Sequence, residues 1–106
     1  MNKFSPLTES MYYILVALSQ PLHGYGIIKK VEELSSGRLR LAAGTLYGAL
    51  TNLEKNKLIE AVGIDPDNKR RKLYVITSEG KDLVNYEIKR LSEMVENGKK
   101  EGYDGC

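Results

Sequence analysis

The sequence has a single cysteine, Cys106, and a single histidine, His23. One thiol at the last position cannot build a disulfide framework, so a small secreted scaffold held by bridges is disfavoured. With so few soft ligands there is no paired metal-ligand spacing, and no glycine-rich loop follows a strand to cradle a phosphate. The carboxylates lie mostly among lysines, as solvated helix pairs do. Metal, cofactor and catalytic chemistry are therefore not expected. Long apolar runs are also missing. The stretch Met11–Leu18 is too short to span a bilayer and has no cleavage-type flank, so a cytoplasmic protein without membrane contact is expected. Nor is there a large excess of charge, the net value being +2.

The distribution of charge is more informative. Residues 1–58 hold seven Lys/Arg against four Asp/Glu, residues 59–78 four against three, and residues 79–106 five against seven. The last third is mildly acidic and the rest mildly basic, which suits one face turned to a polyanion and another used otherwise. A length of 106 residues gives one domain with one core.

Ser5-Pro6 reads as a helix start, with Ser5 as cap and Pro6 in the first turn. The helix carries Leu7, Met11, Ile14, Leu15 and Leu18 at helical spacing and is expected to stop at Gln20-Pro21. A loop containing His23, read as a local hydrogen-bonding group, leads to a second helix over about 25–34. Its apolar stripe is Ile27, Ile28, Val31 and Leu34, and Gly37 follows in a left-handed turn. Arg38-Leu39-Arg40-Leu41 alternates as a very short strand would.

The stretch from Gly44 to Ile59 organises the chain. Leu46, Leu50 and Leu53 share one face of a helix over about 44–56. The opposite face carries Tyr47, Thr51, Asn52 and Lys55, mostly uncharged groups able to bond phosphates and base edges. Two strands, 58–63 and 72–77, flank Asp65-Pro66-Asp67-Asn68-Lys69, giving a hairpin with a loose tip. Lys69-Arg70-Arg71-Lys72 follow that tip, either as a solvated edge or as a finger on a phosphate backbone. Thr77 or Ser78 caps a last helix to about 97–98. Leu83, Val84, Ile88, Leu91, Met94 and Val95 give it more apolar surface than one small core uses, so a second copy is its natural partner.

This order of elements defines a mainly α (α+β) winged helix-turn-helix with a two-stranded hairpin wing. The third helix would meet the major groove and the hairpin the adjacent backbone. The expected division is a DNA-binding domain over 1–78, a dimerisation helix over 79–98 and a flexible tail over 99–106.

The sequence also resembles the PadR-like transcriptional regulators. The matching residues are His23-Gly24-Tyr25 with Ile27, then Gly44-Thr45-Leu46-Tyr47 with Leu50, Leu53 and Glu54. Leu58-Ile59 follow, and then Arg70-Arg71-Lys72 with Tyr74, Ile76-Thr77 and Gly80. The match covers roughly residues 7–80. It implies a dimeric bacterial regulator, usually a repressor, paired through C-terminal helices and in several members released by small molecules. Carried over by position, Thr45, Tyr47 and Thr51 fall on the recognition helix and Arg70 and Arg71 on the wing. The candidate DNA-binding set is Ala43, Thr45, Tyr47, Thr51, Asn52, Lys69, Arg70 and Arg71. Tyr47 has a competing role, its ring packing on the second helix. Glu54 is read as pairing with a wing or helix cation. The candidate dimer set is Met11, Leu83, Ile88, Leu91, Met94 and Val95. Tyr12 and Tyr86, with Tyr13, Met11 and Met94, are candidates to line a site between subunits for a small aromatic effector, the alternative being a packed dimer core with no cavity.

Two departures stand out. The family commonly has glycine where Lys57 stands, so Asn56 is expected to take over the helix stop. Leu73 stands where many members carry a second aromatic. A winged-helix module that binds protein rather than DNA is the rival reading, since fold alone does not fix function.

Overall fold

The computed structural model describes residues 4–69 and 71–106. Thr8 starts the first helix, α1 (Glu9–Ala17), its hydroxyl accepting from the Met11 amide at 3.2 Å. The Ser5-Pro6 signal thus lies three residues too early. The Ser5 hydroxyl is otherwise engaged, donating to the Glu87 carboxylate at 2.9 Å. The helix also ends before Gln20-Pro21, because the Leu18 carbonyl is taken by the Ile76 amide at 2.8 Å.

In α2 (Gly24–Leu34), His23 is the cap: its Nδ1 accepts from the Gly26 amide at 3.1 Å. Ser36 and Gly37, at φ of 55° and 81°, turn the chain away from the helix. The segment Arg38–Leu41 forms no strand. The sheet edge that could have received a third strand is occupied by Leu22, which exchanges two 3.0 Å hydrogen bonds with Tyr74. Arg38 and Arg40 instead pair with Glu9 of α1 and Glu32 of α2.

The third helix, α3 (Ala43–Lys55), buries Leu46, Leu50 and Leu53 completely, as the leucine spacing requires. Its end differs from expectation. Asn56 keeps φ at −94°, its side-chain amide donating to the Asn52 carbonyl at 2.8 Å. Lys57 takes the left-handed conformation instead, at φ 63°.

Strands β1 (Ile59–Ile64) and β2 (Lys72–Ile76) pair antiparallel, Ile59 opposite Ile76 and Ile64 opposite Lys72, with an irregularity at Val62 between Ala61 and Gly63. The tip is closed rather than loose. The Asp65 amide donates to the Arg71 carbonyl at 2.8 Å, and the Asp65 carboxylate accepts from the Asp67 amide at 2.9 Å.

Thr77 then caps the last helix, α4 (Ser78–Lys100). Its hydroxyl accepts from the Gly80 amide at 3.1 Å and donates to the Lys57 carbonyl at 2.7 Å. Gly80 is required here, because a Cβ would sit 2.6 Å from Cγ1 of Ile76 and closer still to the Leu58 carbonyl oxygen. Ile14, Leu15 and Leu18 of the first helical segment, Ile27 and Val31 of α2, the three leucines of α3, Leu58, Ile59, Tyr74, Ile76 and Leu83 make one core. That core holds α3 with its outer face free, beside a hairpin whose first strand is exposed beyond Ile59.

Candidate nucleic-acid interface

Turning by about 100° per residue, α3 buries Leu46, Leu50 and Leu53 and so presents Gly44, Gly48, Thr51 and Lys55 along the middle of the opposite face, all four exposed. Ala43 and Tyr47 lie on one flank, Thr45 and Asn52 on the other, and these too are exposed. A Cβ added at Gly44 or Gly48 would meet nothing within 4 Å. The fold therefore has no packing reason for either glycine, although glycine inside a helix costs about 1 kcal/mol relative to alanine. Their effect is to leave a shallow, uncharged strip along which another backbone can come close.

The polar groups bordering that strip are partly committed. The Thr51 hydroxyl donates to the Tyr47 carbonyl at 2.9 Å, which leaves its lone pairs outward. Asn52 Oδ1 accepts from the Asn56 amide at 3.2 Å, so its NH2 is the freer end. Tyr47 packs on the second helix through the hydroxyl end of its ring. A Cβ on Gly24 would lie 2.8 Å from Cζ of Tyr47 and closer still to its hydroxyl, so glycine at the start of α2 is what admits the ring. Half of Tyr47 stays exposed.

On the wing, Lys69 and Arg71 are exposed, while Arg70 lies outside the described residues. Arg71 is not a free cation. Its Nη1 lies 3.9 Å from Oδ2 of Asp65 and 3.4 Å from Nε2 of His23, and the same histidine nitrogen is 3.9 Å from Asp65. Asp65, which composition alone marks as a turn former, is buried and ties the wing to the cap of α2. Glu54 has no cation partner among the described residues. Burial, and secondarily the Glu54 charge, push the Tyr74 phenol above its ordinary value.

The candidate dimer residues divide. Leu83 is in the protomer's own core, and Met11 packs partly against it. Ile88, Leu91, Met94 and Val95 are exposed along α4. Tyr12 faces Ile88, Leu91 and Val95 across an open groove of roughly 380 Å³ that also includes Ser92 and Glu96. Tyr86 lines a different hollow with Glu79, Asp82 and Leu83.

Sequence reasoning missed Glu87, a charged residue with no exposed surface. Its carboxylate accepts from Arg90 Nε at 2.7 Å, Arg90 Nη2 at 3.0 Å, the Ser5 hydroxyl at 2.9 Å and the Leu7 amide at 2.5 Å. The Arg90 bonds above all hold its pKa down to about 2, against the opposing effect of burial. The available signal was weak: a carboxylate four residues after Leu83 on an otherwise apolar stripe, with Arg90 three residues on.

Three helices, a hairpin beside the third and an outward, mostly uncharged polar helix face make the arrangement of a winged helix-turn-helix, the fold class of many transcription regulators. The chain belongs to the transcriptional regulator PadR-like family, whose model matches residues 14–85. Among similar proteins, it is 31% identical over 87 residues to an uncharacterised 37.1 kDa protein in transposon TN4556 of Streptomyces fradiae, 81% of this chain but only 24% of that one. It is 32% identical over 80 residues to the uncharacterised protein X of Lysinibacillus sphaericus, covering 74% of this chain and 73% of the other. A PadR family transcription regulator from Clostridium difficile superposes with a TM-score of 0.70 at 24% identity, over 87% of this chain and 95% of that one. Among the described residues no helix is long and apolar enough to cross a membrane.

Proposed function

We propose that the chain is a dimeric, cytoplasmic repressor that binds operator DNA. The outer face of α3 lies in the major groove, with Thr45, Tyr47, Thr51 and Asn52 toward base edges and phosphates. Lys69 and Arg71 of the wing lie on the adjacent backbone, together with Arg70 by its position in sequence. The observation that carries this reading is the open strip of Gly44 and Gly48, whose glycines nothing inside the protein requires. A protein-binding module would call for apolar anchors on that face.

Pairing is supported by α4. At 23 residues it is about 34 Å long, yet its buried residues, Gly80, Leu83 and Glu87, all lie in its first half. Ile88, Leu91 and Val95, exposed and spaced at i, i+3 and i+7, make a stripe that a second copy would cover. A small aromatic effector would enter between α1 and α4 beside Tyr12, where the groove lining is mainly apolar.

The test is fluorescence anisotropy on duplexes tiling the protein's own upstream region at two salt concentrations, with Thr45→Ala and Arg71→Ala in parallel. Binding to one tile should fall with salt, with log K losing about 0.9 per phosphate contact per decade. Arg71→Ala should weaken all tiles, whereas Thr45→Ala should weaken mainly the preferred one. Failure to bind any duplex at low salt would refute the DNA reading and leave the protein-binding module.

A further inference from the structure

Residues 23–25 stand at a junction. Gly24 carries the ring of Tyr47 from α3, while His23, one residue earlier, contacts Arg71 of the wing at 3.4 Å. The next residue, Tyr25, is 58% exposed, although nothing in the core needs an aromatic ring there. Its ring is held parallel to the His23 imidazole, with centroids 6.4 Å apart and planes within 8°. One turn later, Lys29 places its ammonium 5.8 Å from the centre of the same ring. Arg71, which shares the Asp65 carboxylate with His23, then His23, Tyr25 and Lys29 thus form a continuous row, aromatic in the middle and ending in the Lys29 ammonium. The three arginines Arg38, Arg40 and Arg90 are each paired with a glutamate, but Lys29 has no carboxylate within ion-pair distance among the described residues.

We infer that Tyr25 and Lys29 form a phosphate-contact site on α2 that joins the recognition helix to the wing. The inference rests on the DNA-binding reading and extends it. A duplex touching both α3 and the wing passes over whatever lies between them, and Gly24 and His23 place the start of α2 there. The chemistry fits a phosphodiester. The Tyr25 hydroxyl and the Lys29 ammonium are donors, phosphate oxygens are acceptors, and such contacts fix register without reading sequence. Stacking on His23 and the cation–π contact hold both donors in place before DNA arrives.

The experiment is salt-dependent anisotropy of the full chain on its best tile and on an unrelated mixed-sequence duplex, comparing wild type with Tyr25→Phe and Lys29→Gln. Both sites are exposed, and circular dichroism melts confirm that the variants fold. Lys29→Gln should weaken both duplexes by the same factor, severalfold, and lower the salt slope by about 0.9. Tyr25→Phe should weaken both alike with the slope kept. Wild-type binding that neither variant alters refutes this site while leaving the DNA reading intact. A loss confined to the best tile refutes the phosphate assignment in favour of base contact. A wild type that binds neither duplex removes both readings together.

Discussion

Replacing Glu87 by glutamine tests whether a buried charge ties the start of the chain to α4. The substitution keeps the volume and one carbonyl oxygen. It removes the negative charge facing Arg90, and it places an NH2 where the structure has only donors around it: Arg90 Nε and Nη2, the Ser5 hydroxyl and the Leu7 amide. Only the Ser5 hydroxyl can rotate to accept. Breaking a buried, hydrogen-bonded pair by altering one partner costs about 3–5 kcal/mol. Arg90 is partly exposed and can turn to water, so about 2–3 kcal/mol is the expected loss here. For a chain of this size that lowers the melting temperature by roughly 10 °C. Thermal melts at fixed protein concentration measure it, since self-association would otherwise shift the midpoint.

The pH dependence gives the sharper check. The folded-state pKa of Glu87 is depressed from 4.5 to about 2. Its stabilisation is therefore fully present above the unfolded value and lost as pH falls through the folded one. The melting gap between wild type and Glu87→Gln should be constant above about pH 5 and close progressively toward pH 2. A gap that stays the same down to pH 2 would mean that the loss comes from packing and not from the charge. A gap near zero at pH 7 would refute the account of Glu87 altogether.

Gly48→Ala should raise stability by about 1 kcal/mol in chemical denaturation, because the site is helical, exposed and open. The same variant should bind DNA less tightly, and unchanged affinity would show that no backbone approaches α3 there. Lys57→Gly should stabilise the fold by about 1 kcal/mol by relieving the left-handed backbone at φ 63°. A melting temperature that falls instead would mean that the Lys57 side chain has a role the structure does not reveal.

The core was legible because burial imposes periodicity. Leu46, Leu50 and Leu53 announce the inner face of α3, and the strands around Asp65-Pro66-Asp67 announce the hairpin. The errors fell where a distant group competes for a local signal. Ser5 looked like a cap, yet its hydroxyl serves Glu87, 82 residues away. Leu18 could have continued α1, yet its carbonyl serves Ile76. Arg38–Leu41 alternates properly for a strand, but Leu22 takes the edge of β2. Asn56 was the better left-handed residue by intrinsic preference, and its own side chain prevents it by bonding to Asn52. The candidate site was half legible. The outer residues of α3 follow from its leucines, whereas the row from Arg71 through His23 to Lys29 exists only once the wing folds back onto α2.

These long-range ties also bear on how pairing would be transmitted to DNA. Thr77, at the base of α4, donates to the Lys57 carbonyl just past α3, and Gly80 lies against the Leu58 carbonyl. The first turn of α4 is thereby fixed to the end of the recognition helix through the Thr77 hydroxyl and through the Thr77 amide, which donates to the Leu58 carbonyl at 3.0 Å. At the other end of the interface, His23 joins the cap of α2 to the wing, and Gly24 joins it to Tyr47. Under the proposed pairing, α3 and the wing would move with α4 as one body, with no flexible linker to absorb a change. The angle between two α4 helices would then set the separation of the two recognition helices. Operator half-sites one helical turn apart, about 34 Å, are matched only within a narrow range of that separation. A molecule entering beside Tyr12 between α1 and α4 would need to shift α4 only slightly to spoil the match.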